Sequence, residues 1–201
     1  MVKNQILVAG LDEVGRGPWA GPIISCAYIE KEAVTGIKIT DSKKMNQAQR
    51  EIAYDQLVKA GYYGIGQASP QEIDDLGLSK AHKLSFKRAI QALIKSAKSK
   101  PDFIMIDGRD KIDLKTTHNI PFKTIIKGDL TVHVISCASI IAKVTRDRLM
   151  DKLSKQYPNY AFEKHKGYGT REHKKLLKKH GACEIHRHSY KPIQNLLQNS
   201  I

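Results

Sequence analysis

Short apolar runs separated by turn residues recur along this 201-residue chain. Runs rich in β-branched and aromatic residues predict five strands, over residues 6–11, 23–29, 61–68, 102–107 and 122–127. Gly15, Gly17 and Pro18 lie between the first two runs, and this short connection predicts an antiparallel hairpin. The chain therefore begins like the antiparallel edge of a sheet.

The longest pattern of helical spacing covers residues 134–157 and predicts one long helix, with shorter helices over 76–93, 171–180 and 192–198. Ser69, followed by Pro70 and Glu72, is typical of a capped helix start, and Ser42 is the predicted N-cap of an earlier helix. The order of elements predicts a single α/β domain over residues 1–201, with a helical C-terminal extension over about 158–201.

The charge balance changes this picture, because 34 Lys and Arg against 20 Asp and Glu give a net charge of +14. Such an excess indicates a polyanionic partner, most commonly nucleic acid, although a basic protein without such a partner is the alternative. Three cysteines without CxxC spacing favour a reducing cytoplasm. No apolar stretch approaches the roughly 18 residues of a membrane span, so we expect a cytoplasmic monomer without membrane association.

Acidic residues follow the apolar runs at three strand ends, and they are Asp12, Glu13, Asp107 and Asp129. Strand ends are where α/β folds place ligand and catalytic groups. Oxygen ligands suit Mg²⁺ or Mn²⁺, and two such ions could activate a water and stabilise the leaving oxygen of a phosphodiester. For any one acid alone, a loop residue or a helix cap is the simpler interpretation.

Asp12 and Glu13 raise a geometric difficulty, since neighbouring residues on a regular strand point to opposite faces. They can face one metal site only if the strand ends or twists there. Gly15 and Gly17 supply the backbone freedom for such a turn. We therefore expect the first strand to end or twist at the two acids.

Motifs in a fixed order cover nearly the whole chain: LDEVGRGP at residues 11–18, AGP at 20–22, DSKK at 41–44, IDG at 106–108, KGD at 127–129, ASIIAKVTRD at 138–147, HKGY at 165–168, HGA at 180–182 and HR at 186–187. Together they resemble the bacterial ribonuclease HII family. The resemblance implies an RNase H-like fold with a five-stranded mixed sheet and a helical C-terminal region. It implies an endoribonuclease that cuts the RNA strand of RNA/DNA hybrids and DNA duplexes with embedded ribonucleotides, leaving 3′-OH and 5′-phosphate ends. The same four acids become the metal-binding catalytic residues.

The resemblance also implies residues that recognise the substrate. Gly15, Arg16 and Gly17 would read the ribose 2′-OH, chiefly through backbone groups, and Tyr168 would stack on or hydrogen-bond to the sugar at the junction. The 2′-OH distinguishes RNA from DNA, and a glycine loop allows close approach of the backbone. An ordinary hairpin turn and core packing are the respective alternatives.

Basic residues beside the motifs are candidates for phosphate contacts: Lys43, Lys44, Lys143, Arg146 and Lys166. Each alone is as compatible with a solvated surface residue. The lysines at 174–175 and 178–179 are interpreted first as a solvated helix face and second as a nonspecific duplex contact. Three places depart from the family's usual pattern, namely Trp19, where a smaller aliphatic residue is usual, Cys137, where alanine is usual, and residues 131–133.

Other functions fit less well. Ribonuclease HIII carries Gly-Thr-Gly in place of Gly15, Arg16 and Gly17 and has an N-terminal domain, for which eleven residues before Asp12 leave no room. A resolvase or transposase of the same fold would not be expected to carry this loop or Tyr168. A nucleic-acid-binding module with a decayed active site would not keep all four acids, because clustered carboxylates repel one another without a cation.

Overall fold

The structure is a computed structural model that describes residues 6–36, 39, 42, 44–109 and 119–198. Its strands are β1 (Val8–Val14), β2 (Ile23–Glu30), β3 (Gly61–Ala68), β4 (Phe103–Asp107) and β5 (Phe122–Ile125). Within the described residues they form one sheet in the order β3-β2-β1-β4-β5. β1 is antiparallel to β2 and parallel to β4, and β4 is parallel to β5. The predicted mixed five-stranded sheet is confirmed.

The helices are α1 (Gln47–Ala60), α2 (Pro70–Leu76), α3 (Leu78–Ala97), α4 (Gly128–Thr131), α5 (His133–Gln156), α6 (Phe162–His165), α7 (Arg171–His180) and α8 (Lys191–Gln198), with a 3-10 turn at Pro158–Tyr160. The long helix and the two C-terminal helices lie where the periodicity predicts them. None of the described helices has both the length and the apolar character needed to cross a membrane.

Three predicted boundaries are wrong. β1 does not stop before the acids, because Asp12 and Glu13 continue the antiparallel ladder opposite β2. Ser42 is not the N-cap of α1; Asn46 caps it in a reciprocal capping box with Gln49. The helix predicted over 76–93 begins at Leu78 and ends at Ala97, because Leu76 closes α2 and the chain turns at Gly77, which has a φ of 77°.

The chain divides into two compact units, of which the first comprises residues 1–14, 24–67 and 83–144. Its largest apolar core lies between strands of the sheet and the part of α3 that repeats apolar residues at helical spacing. The core members include Ala9, Leu11, Ala27, Ile29, Phe86, Ile90, Leu93, Ile104 and Ile106. Gly10 contacts α5 instead, since a Cβ on it would lie 2.1 Å from the carbonyl oxygen of Val134. β1 thus has α3 on one face and the start of α5 on the other.

The second unit comprises residues 15–23, 68–82 and 145–201. Its main core is formed by Ala20, Met150, Tyr160, Phe162, Leu177 and Ile193. A smaller cluster joins Ile23, Ala68, Ile73 and Ala81. The helices of the predicted C-terminal extension therefore pack with two earlier segments of the chain, one of which contains the glycine loop.

Candidate active site

Asp12 and Asp107 lie on the adjacent parallel strands β1 and β4, where Leu11 pairs with Ile106. Asp12 is buried, with 5% of its surface exposed. Its Oδ1 accepts a hydrogen bond of 2.7 Å from the backbone N–H of Glu13, and its carboxylate also interacts with the hydroxyl of Ser139. Because one register step separates the Leu11–Ile106 pair from Asp12 and Asp107, the sheet itself brings these two acids together.

Asp129 reaches the same group of acids through a sharp turn after β5. Lys127 adopts a left-handed conformation with a φ of 57°, and α4 then begins at Gly128. A Cβ on Gly128 would lie 3.4 Å from Oδ1 of Asp107, so the glycine permits close approach. The backbone N–H of Asp129 donates to that same oxygen over 3.3 Å. Asp129 is itself buried, and its carbonyl accepts from the hydroxyl of Ser136 over 2.8 Å.

Burial and mutual repulsion raise the pKa of two of these carboxyl groups. For Asp12 the largest cause is burial, followed by the negative charge of Glu13 and then that of Asp107. For Asp107 burial is again the largest cause, followed by the charge of Asp129, and Glu13 adds to it. Glu13 therefore acts on both groups although it follows Asp12 on a continuous strand. The electrostatic interactions connect all four acids.

The donor set of this cluster is made of oxygen atoms, which is the chemistry that hard divalent cations prefer. A buried carboxylate whose charged form is disfavoured by other carboxylates is stabilised by a bound cation. The residues therefore fit Mg²⁺ or Mn²⁺.

In the second unit, the side chain of Arg187 fixes the glycine loop, which consists of Gly15, Arg16 and Gly17. It is fully buried, and its guanidinium donates to the carbonyls of Gly15 and Gly21 and, over 2.9 Å, to that of Arg16. Tyr190 accepts a further bond of 2.8 Å from Arg187. Residue 15 must be a glycine without a Cβ, because its φ is +97° and a Cβ would lie 2.4 Å from Nε of Arg146. The loop is therefore fixed by hydrogen bonds rather than left as a free turn.

Tyr168 lies beside this loop and stays 42% exposed. A Cβ on Gly17 would be 3.8 Å from Cε1 of its ring, so Gly17 is within contact distance of the tyrosine. The guanidinium carbon of Arg146 lies 6.0 Å from the ring centroid. The structure thus brings together two of the predicted substrate-binding elements and leaves their outer side open.

Comparison with known proteins identifies the family. The family model for Ribonuclease HII matches residues 9–193. The curated Ribonuclease HII of Desulfitobacterium hafniense is 44% identical over 197 residues, which are 98% of this chain and 73% of that protein. The chain belongs to the ribonuclease HII family. As such it is a divalent-metal-dependent endonuclease that acts on the RNA of RNA/DNA hybrids.

Solved structures agree with the fold. The ribonuclease H2 of Pyrococcus horikoshii superposes with a TM-score of 0.76 and 27% identity, covering 96% of this chain and 98% of that one. Bst-RNase HIII in complex with Mn²⁺ gives a TM-score of 0.73 at 19% identity, covering 97% of this chain and 70% of that one. The second likeness concerns the fold alone.

Among the predicted phosphate contacts of this ribonuclease HII chain, Arg146 requires correction. It is fully buried, and its guanidinium donates to the carbonyls of Ala20, Pro22 and Lys166 over 2.9–3.1 Å. Burial and then the nearby charge of Arg187 lower the pKa of Arg146 to about 10, which keeps it charged at neutral pH. In this structure Arg146 supports the loop and cannot reach a phosphate.

The remaining basic candidates differ in their surroundings. Lys166 forms an ion pair with Asp151, and its side chain is only 16% exposed. Lys143 is half-buried, whereas Lys44 is exposed. Lys43 lies outside the described residues. Lys44 is thus the one that the structure leaves most open to a phosphate.

The sequence analysis did not reveal a chain of hydrogen bonds that runs from Cys183 through His186 and His173 to the backbone of Tyr168. The backbone N–H of Cys183 donates to Nδ1 of His186 over 2.9 Å, and Nε2 of His186 lies 3.1 Å from Nε2 of His173. Nδ1 of His173 lies 2.9 Å from the carbonyl oxygen of Tyr168. Because that carbonyl can only accept, His173 donates from Nδ1, accepts at Nε2, and therefore receives the Nε2 proton of His186. The chain of hydrogen bonds has one direction and ends on Tyr168.

Both histidines of this chain are neutral. Burial lowers the pKa of each to about 4, and for His186 the nearness of His173 lowers it further. His186 lies in the HR motif and His173 in α7, but nothing in their sequence spacing reveals that they meet.

A groove of about 720 Å³ also lies in the second unit, lined by Trp19, Lys174, Lys178, Lys191, Pro192, Asn195 and Leu196. Trp19, one of the departures from the family pattern, forms part of its wall. The lysines of α7 therefore border a basic groove rather than a uniformly solvated helix face.

Proposed function

We propose that Asp12, Glu13, Asp107 and Asp129 hold the divalent cations with which this enzyme hydrolyses the phosphodiester. The observation that carries the proposal is the raised pKa of Asp12 and Asp107, caused by burial and by the other carboxylates. A structural acid is normally given donors that favour its charged form. These acids are instead arranged so that added positive charge is favourable.

Each side chain has a part in this arrangement. Cations bound there would supply the positive charge that activates a water and stabilises the leaving oxygen. Asp12 is oriented by the N–H of Glu13 and the hydroxyl of Ser139, while Asp107 is oriented by the N–H of Asp129. Because four carboxylates exceed the charge of a single divalent ion, the set is suited to two.

The substrate is proposed to be recognised at its ribose 2′-OH by Gly15, Arg16, Gly17 and Tyr168. The carbonyls of Gly15 and Arg16 already accept from Arg187, so the 2′-OH would meet other backbone groups of the loop. Gly17 and the ring of Tyr168 are exposed side by side. A DNA duplex with one embedded ribonucleotide presents a single 2′-OH for this purpose.

The test is cleavage of a DNA duplex that contains one ribonucleotide, beside an all-DNA duplex of the same sequence. We expect incision on the 5′ side of the ribonucleotide, with 3′-OH and 5′-phosphate ends, only when Mg²⁺ or Mn²⁺ is present. A 2′,3′-cyclic phosphate product would contradict the mechanism, because it requires the 2′-OH as nucleophile. Equal cutting of both duplexes would contradict recognition of the ribose.

The identity of the metal is the next question for the same assay. The related Bst-RNase HIII has been solved with Mn²⁺. We propose that both ions support cleavage here, because the ligands are oxygen atoms without a nitrogen or sulfur that would favour one of them. A cytoplasmic location and a monomeric state stay predictions of the sequence.

The basic groove supports a second proposal, that the flank of the duplex is held by Lys174, Lys178 and Lys191. Each phosphate contact contributes a slope of roughly −0.9 in log K against log salt. Replacing the three lysines by alanine should make the salt dependence of binding shallower, while three exposed lysines outside the groove, at 80, 95 and 100, serve as the control. An unchanged slope would remove the groove from the duplex interface.

A further inference from the structure

A second group of potential metal ligands lies in the first unit and differs from the four acids in its chemistry. Glu30 is the last residue of β2, His133 is the first residue of α5, and Cys137 lies one helical turn later. One ligand atom from each, an oxygen, a nitrogen and a sulfur, lies within 4.8 Å of the other two. His133 and Cys137 are four residues apart on a helix and therefore share one face.

The distances in this cluster are close to those that a bound ion would impose. Nε2 of His133 lies 3.5 Å from Sγ of Cys137 and 2.9 Å from Oε1 of Glu30. In a tetrahedral zinc site the ligand bond lengths place a sulfur and a nitrogen ligand about 3.6 Å apart, and an oxygen and a nitrogen ligand about 3.4 Å apart. The His133–Glu30 pair would have to lengthen by about half an ångström, and the third pair, Sγ of Cys137 and the Glu30 oxygen, lies within 4.8 Å where such a site has about 3.6 Å.

The surroundings favour the same conclusion. The hydroxyl of Tyr28 is buried and has no hydrogen-bond partner among the described residues. Besides burial, the charges of Cys137 and Glu30 act most strongly on this hydroxyl, so it lies next to the cluster. A buried polar atom without a partner among the described residues is explained by a bound water or ion. Three protein ligands with a water in the fourth position is an established zinc arrangement, and Tyr28 could bind that water.

We propose that Glu30, His133 and Cys137 form a second metal site, which takes a borderline-soft divalent ion such as Zn²⁺. Mg²⁺ and Mn²⁺ prefer oxygen ligands, so the thiol and imidazole separate this site from the four carboxylates. Binding converts the thiol of Cys137 to a thiolate and releases its proton to solvent. His133 is 48% and Glu30 22% exposed at the side chain, which gives the ion a path from solvent to the buried sulfur.

The site would tie the end of β2 to the first turns of α5. The same turns of that helix carry Ser136, which donates to the carbonyl of Asp129, and Ser139, which hydrogen-bonds to Asp12. A bound ion would therefore stabilise the part of α5 that orients two of the proposed catalytic acids.

Cobalt titration tests the proposal, because thiolate-to-cobalt charge transfer gives a near-ultraviolet band that a carboxylate site cannot produce. The full chain, reduced and freed of metal by a chelator, is titrated with Co²⁺ in excess Mg²⁺. We expect the band to saturate at one equivalent. Cys137→Ala should remove it, and alanine is the usual residue at this position, so the variant should fold. Cys183→Ala, the matched control, should keep it.

His133→Ala provides a second test at an exposed position. Partners outside the first ligand sphere already contribute about 10–100-fold to metal affinity, so loss of His133 should weaken Co²⁺ binding at least tenfold. Absence of the band in the unmodified protein would overturn the proposal, and so would a band that survives in Cys137→Ala but disappears in Cys183→Ala. Unchanged affinity in a folded His133→Ala would also overturn it, since the cluster would then be only a hydrogen-bonded triad.

Discussion

The two units bury polar side chains under opposite conditions. In the first, Asp12 lies among carboxylates whose charges raise its pKa. In the second, the buried guanidinium groups of Arg146 and Arg187 donate to backbone carbonyls, and the neutral imidazoles of His173 and His186 complete a chain to Tyr168. A bound cation would therefore stabilise the carboxylates of the first unit, whereas the buried polar groups of the second unit already form hydrogen bonds with one another and with the backbone.

This difference separates the part of the enzyme that is proposed to bind cations from the part that fixes the glycine loop. It also gives the two regions opposite responses to acid. Asp12 and Asp107 have raised pKa values, so the native state holds their protons to higher pH than the unfolded chain does, and they destabilise the fold as pH rises above about 4. His173 and His186 have lowered pKa values, so they destabilise it as pH falls below about 6.5.

Asp12→Asn tests the first half of the comparison and should have the largest effect. The amide oxygen can still accept from Glu13 and Ser139, but the repelling charge is gone. Cleavage should fall by about a thousandfold or more, which corresponds to roughly 4 kcal/mol of transition-state stabilisation. The free energy of unfolding of the metal-free variant should nevertheless be about 1 kcal/mol higher than that of the parent protein. Thermal melts with chelator and with Mn²⁺, beside the cleavage assay, measure both effects.

Asp74→Asn is the matched control for this substitution. Its carboxylate accepts from the backbone N–H groups of His188 and Ser189 and from the Ser189 hydroxyl, over 2.6–2.8 Å. An amide cannot accept all three bonds as well, so this variant should melt lower and keep its response to Mn²⁺. A destabilised but active Asp12→Asn would mean that Asp12 is a structural acid like Asp74.

Arg187→Ala tests the second half, with an expected loss of about 3–4 kcal/mol in unfolding free energy. The variant leaves the carbonyls of Gly15 and Gly21 without the guanidinium donor and creates a cavity, whereas the carbonyl of Arg16 still accepts from the hydroxyl of Tyr190. Arg187→Lys should recover only part, because an ammonium cannot match the planar fork. Stabilisation by Mn²⁺ should persist in Arg187→Lys, since the acids are untouched. If that response disappears, the two regions are not separable. Arg171→Ala, at an exposed arginine, is the control for charge alone.

The sequence predicts local features well because their causes are local. The apolar runs, the Ser69 capping box and the left-handed or glycine turns after strands all depend on residues within a few positions of one another. The acids were found because four of them follow apolar runs at three strand ends, although any one alone could be a loop residue or a helix cap. In each case the deciding interaction spans less than one helical turn or strand.

The errors come from partners that are distant in the chain. Ser42 fails as a cap because its hydroxyl pairs with Ser139, 97 residues away. Arg187 supports Gly15 across 172 residues, and no spacing rule reveals that contact. Arg146 was predicted to contact a phosphate because it lies beside a motif, but the fold buries it among backbone carbonyls. The end of β1 was misplaced because the acids break the apolar pattern while β2 continues the ladder.

The pH dependence of stability should show both regions at once. Between pH 6.5 and 4, His173→Gln should lose less unfolding free energy than the parent protein. The difference should be on the order of 2 kcal/mol, at about 1.4 kcal/mol per pKa unit. Asp12→Asn should make the metal-free protein lose stability more steeply over the same range, because its opposing contribution is removed. Denaturant unfolding at several pH values in chelator measures the slopes.

Gly17→Ala is expected to have the smallest effect and is the sharpest test of the loop. The new methyl would lie 3.8 Å from the Tyr168 ring, an ordinary contact, so stability should change by less than about 0.5 kcal/mol. If the space between Gly17 and Tyr168 receives the ribose, the methyl should reduce cleavage at a single embedded ribonucleotide by about tenfold, or roughly 1.4 kcal/mol. A continuous RNA/DNA hybrid offers several registers and should lose less.

Gly15→Ala is its counterpart, because there a Cβ would lie 2.4 Å from Nε of Arg146 at a φ of +97°. This variant should lose stability by about 2 kcal/mol or more, together with activity on both substrates. Relative rates on the two substrates, with melting temperatures for both variants, decide the matter. If Gly17→Ala cleaves both substrates at the parental rates, the triplet is only a hairpin turn. If it loses stability as Gly15→Ala does, Gly17 belongs to the scaffold that Arg187 completes. Loss on the single ribonucleotide alone assigns Gly17 to the substrate.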